Sequence, residues 1–185
     1  MVAPTHVPLQ ELEAGLENVR HSPTDQGRLE LIVRRPQTGE REVLETGQLD
    51  LVEGLVGDDW IKRFSKRTPD GSPHPDMQIT IMNTRLMALL SPEKDRWEQV
   101  GDQLFMDLDL SFTNLPAGTR LVLGESILEI TDQPHTGCVK FSDRFGTDAL
   151  KFISSSQSKE LRLRGIYAKV IQPGAIHVGD VAKKI

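Results

Sequence analysis

Residues 117 to 131 read "AGTRLVLGESILEIT", two short apolar runs separated by Gly124-Glu125, the pattern of two strands joined by a tight hairpin turn. Similar runs flank this hairpin on both sides. Downstream, "LRLRGIYAKV" (161–170) places Leu161 and Leu163 on one face, and after Gly165 the apolar positions are Ile166, Ala168 and Val170. That change of parity predicts one long late strand with a bulge at Gly165. Upstream, "DQLFMDLDLSF" (102–112) alternates and "MQITIMN" (77–83) is a further strand candidate. "NTRLMALLS" predicts a helix capped by Asn83 and ended by Ser91-Pro92, and "PEKDRWEQV" adds a turn or two. In "RLELIVRR" (28–35), Leu29, Leu31 and Val33 alternate with Glu30, Ile32 and Arg34, a strand with one better-buried face, and "PQTGEREVLE" is a turn and a returning strand. Leu9, Leu12, Leu16 and Val19 form the stripe of a short helix that stops before Ser22-Pro23.

Many short strands, few helices, and Gly-Asp turns at 57, 101 and 179 predict a mainly β barrel. Ser65–Asp76 and Ser154–Lys159 read as loops, and loops as long as the first are uncommon in compact domains unless they are functional or disordered. With 185 residues and neither repeat nor boundary, the whole of 1–185 reads as one domain.

Hydrophobic residues make up 37 % and charged residues 26 % of the chain, the composition of a soluble globular protein. A net charge of -5 argues against a nucleic-acid partner, which would require a dominant basic face. No apolar run is long enough to cross a membrane, and the N-terminal residues lack the pattern of a signal peptide, so a cytoplasmic location is expected. A single cysteine excludes an intrachain disulfide, a four-cysteine zinc site and a cysteine-held iron-sulfur cluster. No GxGxxG fingerprint is present, so redox chemistry would need electrons from another protein.

The cysteine is Cys138, in "EITDQPHTGCVKFSDRFGTDALKF" (129–152). A lone cysteine is often just a small buried apolar residue. Here Pro134 ends the preceding strand, Gly137 removes a side chain beside the thiol, and Lys140 and Arg144 follow, a setting that suits a thiolate. Pairing with His135 as in a cysteine protease lacks any supporting local signature. Zinc held by His135 and Cys138 would need two more ligands, and the remaining histidines have no ligand spacing. His135 reads as a hydrogen-bonding loop residue.

Four segments in order, "LVGD" (55–58), "GDQLFMDLDLSFTNLPAGTRLVLG" (101–124), "LEITDQPHTGCVKFSDRFG" (128–146) and "LRLRGIYAKVIQPGAIHVGD" (161–180), resemble the MOSC domain, named for the C-terminal part of molybdenum cofactor sulfurases and also found as small standalone bacterial proteins. The resemblance covers roughly 28–183. It implies a single MOSC-type β-barrel, pyruvate kinase barrel-like, with a few short peripheral helices. It further implies that Cys138 binds the molybdenum of a pterin-dithiolene cofactor or carries sulfur as a persulfide. Related members reduce N-hydroxylated small molecules with electrons from an external donor protein. Pyridoxal phosphate is not expected, since the aminotransferase-like domain of the sulfurases is missing.

Such a cofactor needs cations and polar groups for its phosphate and pterin. The candidates are Lys140 and Arg144 beside the cysteine, Arg162 and Arg164 on one face of the late strand, and Asn83, Thr84 and Arg85, with Lys62 and Arg63 in addition. Asn83 also reads as a helix cap. Phe141 and Phe145 read as core, and Asp58 and Asp180 as turn-shaping residues. Three functions stay open: a reductase of N-hydroxylated compounds, a sulfur carrier or cofactor-handling protein, and a barrel that only retains the fold. The substrate, the donor and the oligomeric state are not legible.

Overall fold

The computed structural model describes residues 6–185. Along the chain run α1 (Leu9–Arg20), β1 (Gln26–Arg34), β2 (Glu42–Leu44), β3 (Thr46–Asp50), β4 (Gly54–Leu55), β5 (Ile79–Asn83) and α2 (Thr84–Leu90). They are followed by β6 (Leu104–Asp107), β7 (Arg120–Leu123), β8 (Ser126–Ile130), α3 (Val139–Phe145), α4 (Thr147–Ile153), α5 (Ser156–Leu161), β9 (Ile166–Gln172), β10 (Gly174–His177) and β11 (Val181–Lys184). Short 3-10 turns cover Asp59–Lys62, Pro75–Met77 and Lys94–Val100.

Seven strands close into a mixed barrel in the order β11, β7, β8, β9, β5, β6, β1, and β11 pairs back onto β1. The predicted hairpin is β7 and β8, with Leu123 opposite Ser126 across Gly124-Glu125. Every pairing in the ring is antiparallel except β5 with β6, which run parallel because α2 and the Lys94–Val100 turn carry the chain back between them. β10, β3 and β4 form a small second sheet.

Two apolar cores result. Leu29, Ile32, Ile79, Ile81, Leu128 and Ile166 fill the barrel interior together with its other inward side chains. Leu12, Leu31, Met82, Phe105, Phe141 and Phe145 belong to a second core between the barrel wall and the helices. β5 is buried at every position because it faces one core on each side.

The structure corrects three sequence expectations. Leu29, Leu31 and Val33 do not share a face. The register of β1 against β6 shifts between Leu29 and Leu31, so Leu29 and Ile32 point into the barrel while Leu31 and Val33 meet the helices. Nor is 161–170 a single strand. The Ser154–Lys159 stretch expected as a loop runs instead into α5, capped by the Ser155 hydroxyl accepting from Ser158 N, and Leu161 ends that helix. Arg162 is the αL cap at φ 50°, and β9 begins only at Ile166 after Gly165 at φ 93°. Glycine is required there by its left-handed backbone and because a Cβ would strike the Ile81 carbonyl oxygen.

Candidate functional site

β8 ends at Ile130, and residues 131–137 run without regular structure to α3. Thr131 anchors the start of this segment by donating from its hydroxyl to the Asp76 carbonyl at 2.6 Å. At the other end Gly137 lies flat on α4, where a Cβ would stand 2.7 Å from Leu150 Cδ1 and 2.9 Å from Ile153 Cδ1. Cys138 then opens α3 with extended backbone, its carbonyl accepting from Phe141 N and Ser142 N. Its thiol caps nothing and is exposed.

The thiol faces a cleft of about 870 Å³, inside the 300–1,000 Å³ range of ligand sites. Six basic residues line this cleft: Arg35, Arg41, Lys62, Arg63, Lys140 and Arg144. Asp59 is the only acid among the lining residues, and it is held by Arg63 at 2.6 Å. Arg35 is fixed on the floor. Its guanidinium meets Asp58 through Nε at 2.8 Å and Nη2 at 2.7 Å and donates from Nη1 to the Gly101 carbonyl at 2.9 Å. Asp58 also caps the Asp59–Lys62 turn by accepting from Trp60 N, so its expected turn-shaping role holds and is joined to a second task.

Among the described residues Arg41 and Arg144 have backbone partners only: Arg41 donates from Nε to Glu98 O at 3.1 Å and from Nη1 to Glu40 O at 2.6 Å, and Arg144 Nη1 donates to Gln99 O at 2.6 Å. Half-burial first, then the guanidiniums of Arg144, Arg35 and Arg63, hold the Arg41 pKa below the ordinary arginine value, with Asp59 opposing. Positive charge thus accumulates here beyond what the protein neutralises, which favours an anion.

Behind the 131–137 segment lies a buried polar group. Asp102, fully buried, accepts from Arg164 Nη1 at 2.6 Å, and its other oxygen faces His135 Nδ1 at 3.6 Å, beyond hydrogen-bond length. Among the described residues, Asp102 Oδ1, His135 Nδ1 and Arg164 Nε have no hydrogen-bond partner. Burial raises the Asp102 carboxyl pKa against the pull of Arg164. Burial, reinforced by Arg164 and Arg35, holds His135 well below the usual imidazole value, so the ring is neutral at pH 7. It packs against Tyr167 with ring centroids 4.5 Å apart.

The structure brings Cys138, Lys140, Arg144, Lys62 and Arg63 together in one cleft. It does not bring the other candidates there. Arg164 sits behind the segment on Asp102. Arg162 stacks its guanidinium on Phe112 at 3.8 Å and donates to Leu115 O, so the two arginines lie in the turn before β9 rather than on one strand face. Asn83 caps α2 by accepting from Leu86 N, and its amide donates to Ser22 and to Leu108 O. Thr84 bonds Glu30 and Arg85 is paired with Asp107 at 2.7 Å. All three side chains are engaged within the fold. Arg35 and Arg41 went unread in the sequence because they come from the β1–β2 connection, about a hundred residues before the cysteine. Phe141 and Phe145 are buried core. Among the described residues no three His, Cys, Asp or Glu side chains gather as a metal site, and no helix is long and apolar enough to cross a membrane.

A family model described as MOSC domain matches residues 74–183. Solved structures with a similar fold include the YuaD protein from Bacillus subtilis, at TM-score 0.63 and 18 % identity over 86 % of this chain and 95 % of that one. YiiM from Geobacillus stearothermophilus is similar at TM-score 0.59 and 16 % identity, over 86 % and 75 % of the two chains. YiiM from Escherichia coli is similar at TM-score 0.55 and 19 % identity, over 85 % and 69 %. These identities speak for the fold alone. No curated protein matches the sequence.

Proposed function

The chain belongs to the MOSC domain family, and on that premise we propose that it binds a pterin-type molybdenum cofactor in the basic cleft and reduces N-hydroxylated small molecules. One observation carries the reading: the only cysteine presents an exposed thiol to a cleft with six cations and one acid among its lining residues. That donor set fits the group, since a soft thiolate suits a soft metal centre and guanidinium and ammonium groups suit a phosphate.

Bound there, the cofactor would supply two-electron redox chemistry for reducing the N–OH group, with electrons from an external donor protein. Each turnover converts one N–OH to N–H and water with two electrons and two protons. Cys138 would hold the metal from the protein side. Lys140, Arg144 and Arg41 would hold the phosphate and pterin oxygens, each charge-assisted contact contributing about 1.5 to 3 kcal/mol. Arg35, locked on Asp58, keeps one cation in place whether or not a ligand is present. Burial, with Arg164 and Arg35, holds the His135 pKa below the usual imidazole value, so its ring adds no further cation beside the cleft.

A sulfur-carrier role is the second reading, favoured by the same exposure of Cys138, which leaves the thiol open to a desulfurase. Molybdenum and pterin content of protein from a molybdate-replete host tests the first. The expected result is near-stoichiometric metal in the wild type and its loss in Cys138→Ala with the fold retained, whereas equal metal in both would remove Cys138 from the metal. A persulfide seen by intact mass on metal-free Cys138 after incubation with a cysteine desulfurase would favour the carrier.

A further inference from the structure

Beside the cleft, and sharing Arg35, Arg63, Phe64 and Gly101 with it, lies a second hollow of about 380 Å³. Its outer wall comes from the Ser65–Asp76 loop and its inner wall from the start of β9 and the 131–137 segment. Three features define what it can hold.

The first is charge. No aspartate or glutamate is among the residues lining the hollow, while Arg63, Lys66 and Arg67 stand in its wall. Among the described residues Arg67 reaches only the Gln133 side-chain oxygen at 3.0 Å and Met77 Sδ at 3.8 Å, and no carboxylate there pairs with it. The second is shape. Trp60, Phe64 and Tyr167 line it, and Phe64, whose ring lies against Gly71 on one side, is 75 % exposed, an unusual state for a phenylalanine. The third is a fixed back wall. Arg164, with 10 % of its side chain exposed, and His135, with 9 %, both line the hollow and stand against the buried Asp102 behind it.

We propose that this hollow is the substrate subsite and takes a planar aromatic or heteroaromatic compound bearing a phosphate or carboxylate, its ring against Phe64 and Tyr167 and its anion on Lys66 and Arg67. The assignment rests on reading the adjoining cleft as the cofactor's, because the shared wall of Arg35 and Arg63 would place the substrate's ring end next to that site. It adds that charge on the substrate, remote from the reacting N–OH, selects it.

Calorimetric titration of the purified full chain with unreactive probes separates the alternatives. Adenosine 5′-monophosphate is compared with adenosine, and benzoate with benzamide. Each anion should bind at least tenfold more tightly than its neutral partner, and whichever anion gains more identifies phosphate or carboxylate as the preferred group. Lys66→Ala/Arg67→Ala should erase that advantage while leaving adenosine affinity and cofactor content unchanged, and Phe64→Ala should weaken all four probes several-fold. Equal affinity for charged and neutral probes, no binding of any probe, or loss of cofactor instead of probe binding in the double variant would overturn the proposal. Cys138→Ser separates it from the cofactor reading, since metal-free protein that still discriminates the anions keeps the subsite even if that reading fails.

Discussion

Replacing Asp58 by alanine should be among the most damaging single changes outside the apolar cores. The Asp58 carboxylate is fully buried and the Arg35 side chain 5 % exposed. Asp58 accepts from Arg35 N at 2.9 Å, Arg35 Nε at 2.8 Å, Arg35 Nη2 at 2.7 Å and Trp60 N at 3.0 Å. Asp58→Ala removes all four acceptor contacts and leaves a buried guanidinium without its counter-charge, which costs about 3 to 5 kcal/mol. Unfolding entropy of about 2.1 cal/mol/K per residue gives a chain of this length about 0.4 kcal/mol per degree, so the midpoint should fall by about 8 to 13 °C. Calorimetric melting in chloride buffer measures it. Because the orphaned charge stands in the floor of the cleft, 50 mM phosphate should restore several degrees to the variant and less to the wild type. A loss under about 3 °C, or equal phosphate stabilisation of both proteins, would show that Arg35 does not depend on Asp58 for its charge balance.

Three further outcomes are expected. His135 has a folded pKa held below its unfolded value, so below about pH 6.5 the unfolded chain takes up a proton that the folded chain refuses, and stability falls by up to about 1.4 kcal/mol per pH unit as pH drops. Chemical denaturation at pH 7 and pH 5.5 should show that loss in the wild type and a smaller one in His135→Gln. Lys140→Ala/Arg144→Ala should lower cofactor retention by at least tenfold, measured as pterin fluorescence released on dialysis, with the melting temperature of the cofactor-free protein changed by only a few degrees, since neither side chain is in an ion pair with an acid. Gly165→Ala should cost at least 2 kcal/mol in denaturant unfolding, because the backbone is left-handed and the new methyl would meet the Ile81 carbonyl.

The legible parts of the fold were those specified locally. The hairpin around Gly124-Glu125 and the helix capped by Asn83 each carry their turn or cap within a few residues, and both are present. The region around Leu161 failed because a short helix end followed by an αL turn puts leucines two apart just as a strand does, while the informative residue was Ser155, whose hydroxyl caps α5. The bulge beside Glu30 could not be read from β1 alone, since it exists only in the register with β6. In the site, Lys140 and Arg144, near Cys138 in sequence, and Lys62 and Arg63, distant from it, were named from the sequence, while Arg35 and Arg41 were not. Arg35 and Arg41 reach the cleft because barrel closure brings the β1–β2 connection to α3, and no local pattern encodes that. Asn83 shows the converse: a polar residue in a suggestive place whose side chain is fully employed by the helix cap and by bonds to Ser22 and Leu108 O.

Barrel closure also sets an order on synthesis. β11 is hydrogen-bonded to β1 on one side, with Val181 opposite Arg28, and to β7 on the other, with Lys183 opposite Val122. Until residues 181–184 have left the ribosome, β1 and β7 each present an open strand edge, the kind of surface on which nascent chains stick to one another. Val181 and Arg28 are also far apart along the chain, so the ring's last joint is made by a contact of long loop closure and is among the slower steps. A chaperone that shields extended edges would therefore matter most late in translation, and a chain stopped short of β11 would be a species for quality control rather than a smaller working protein.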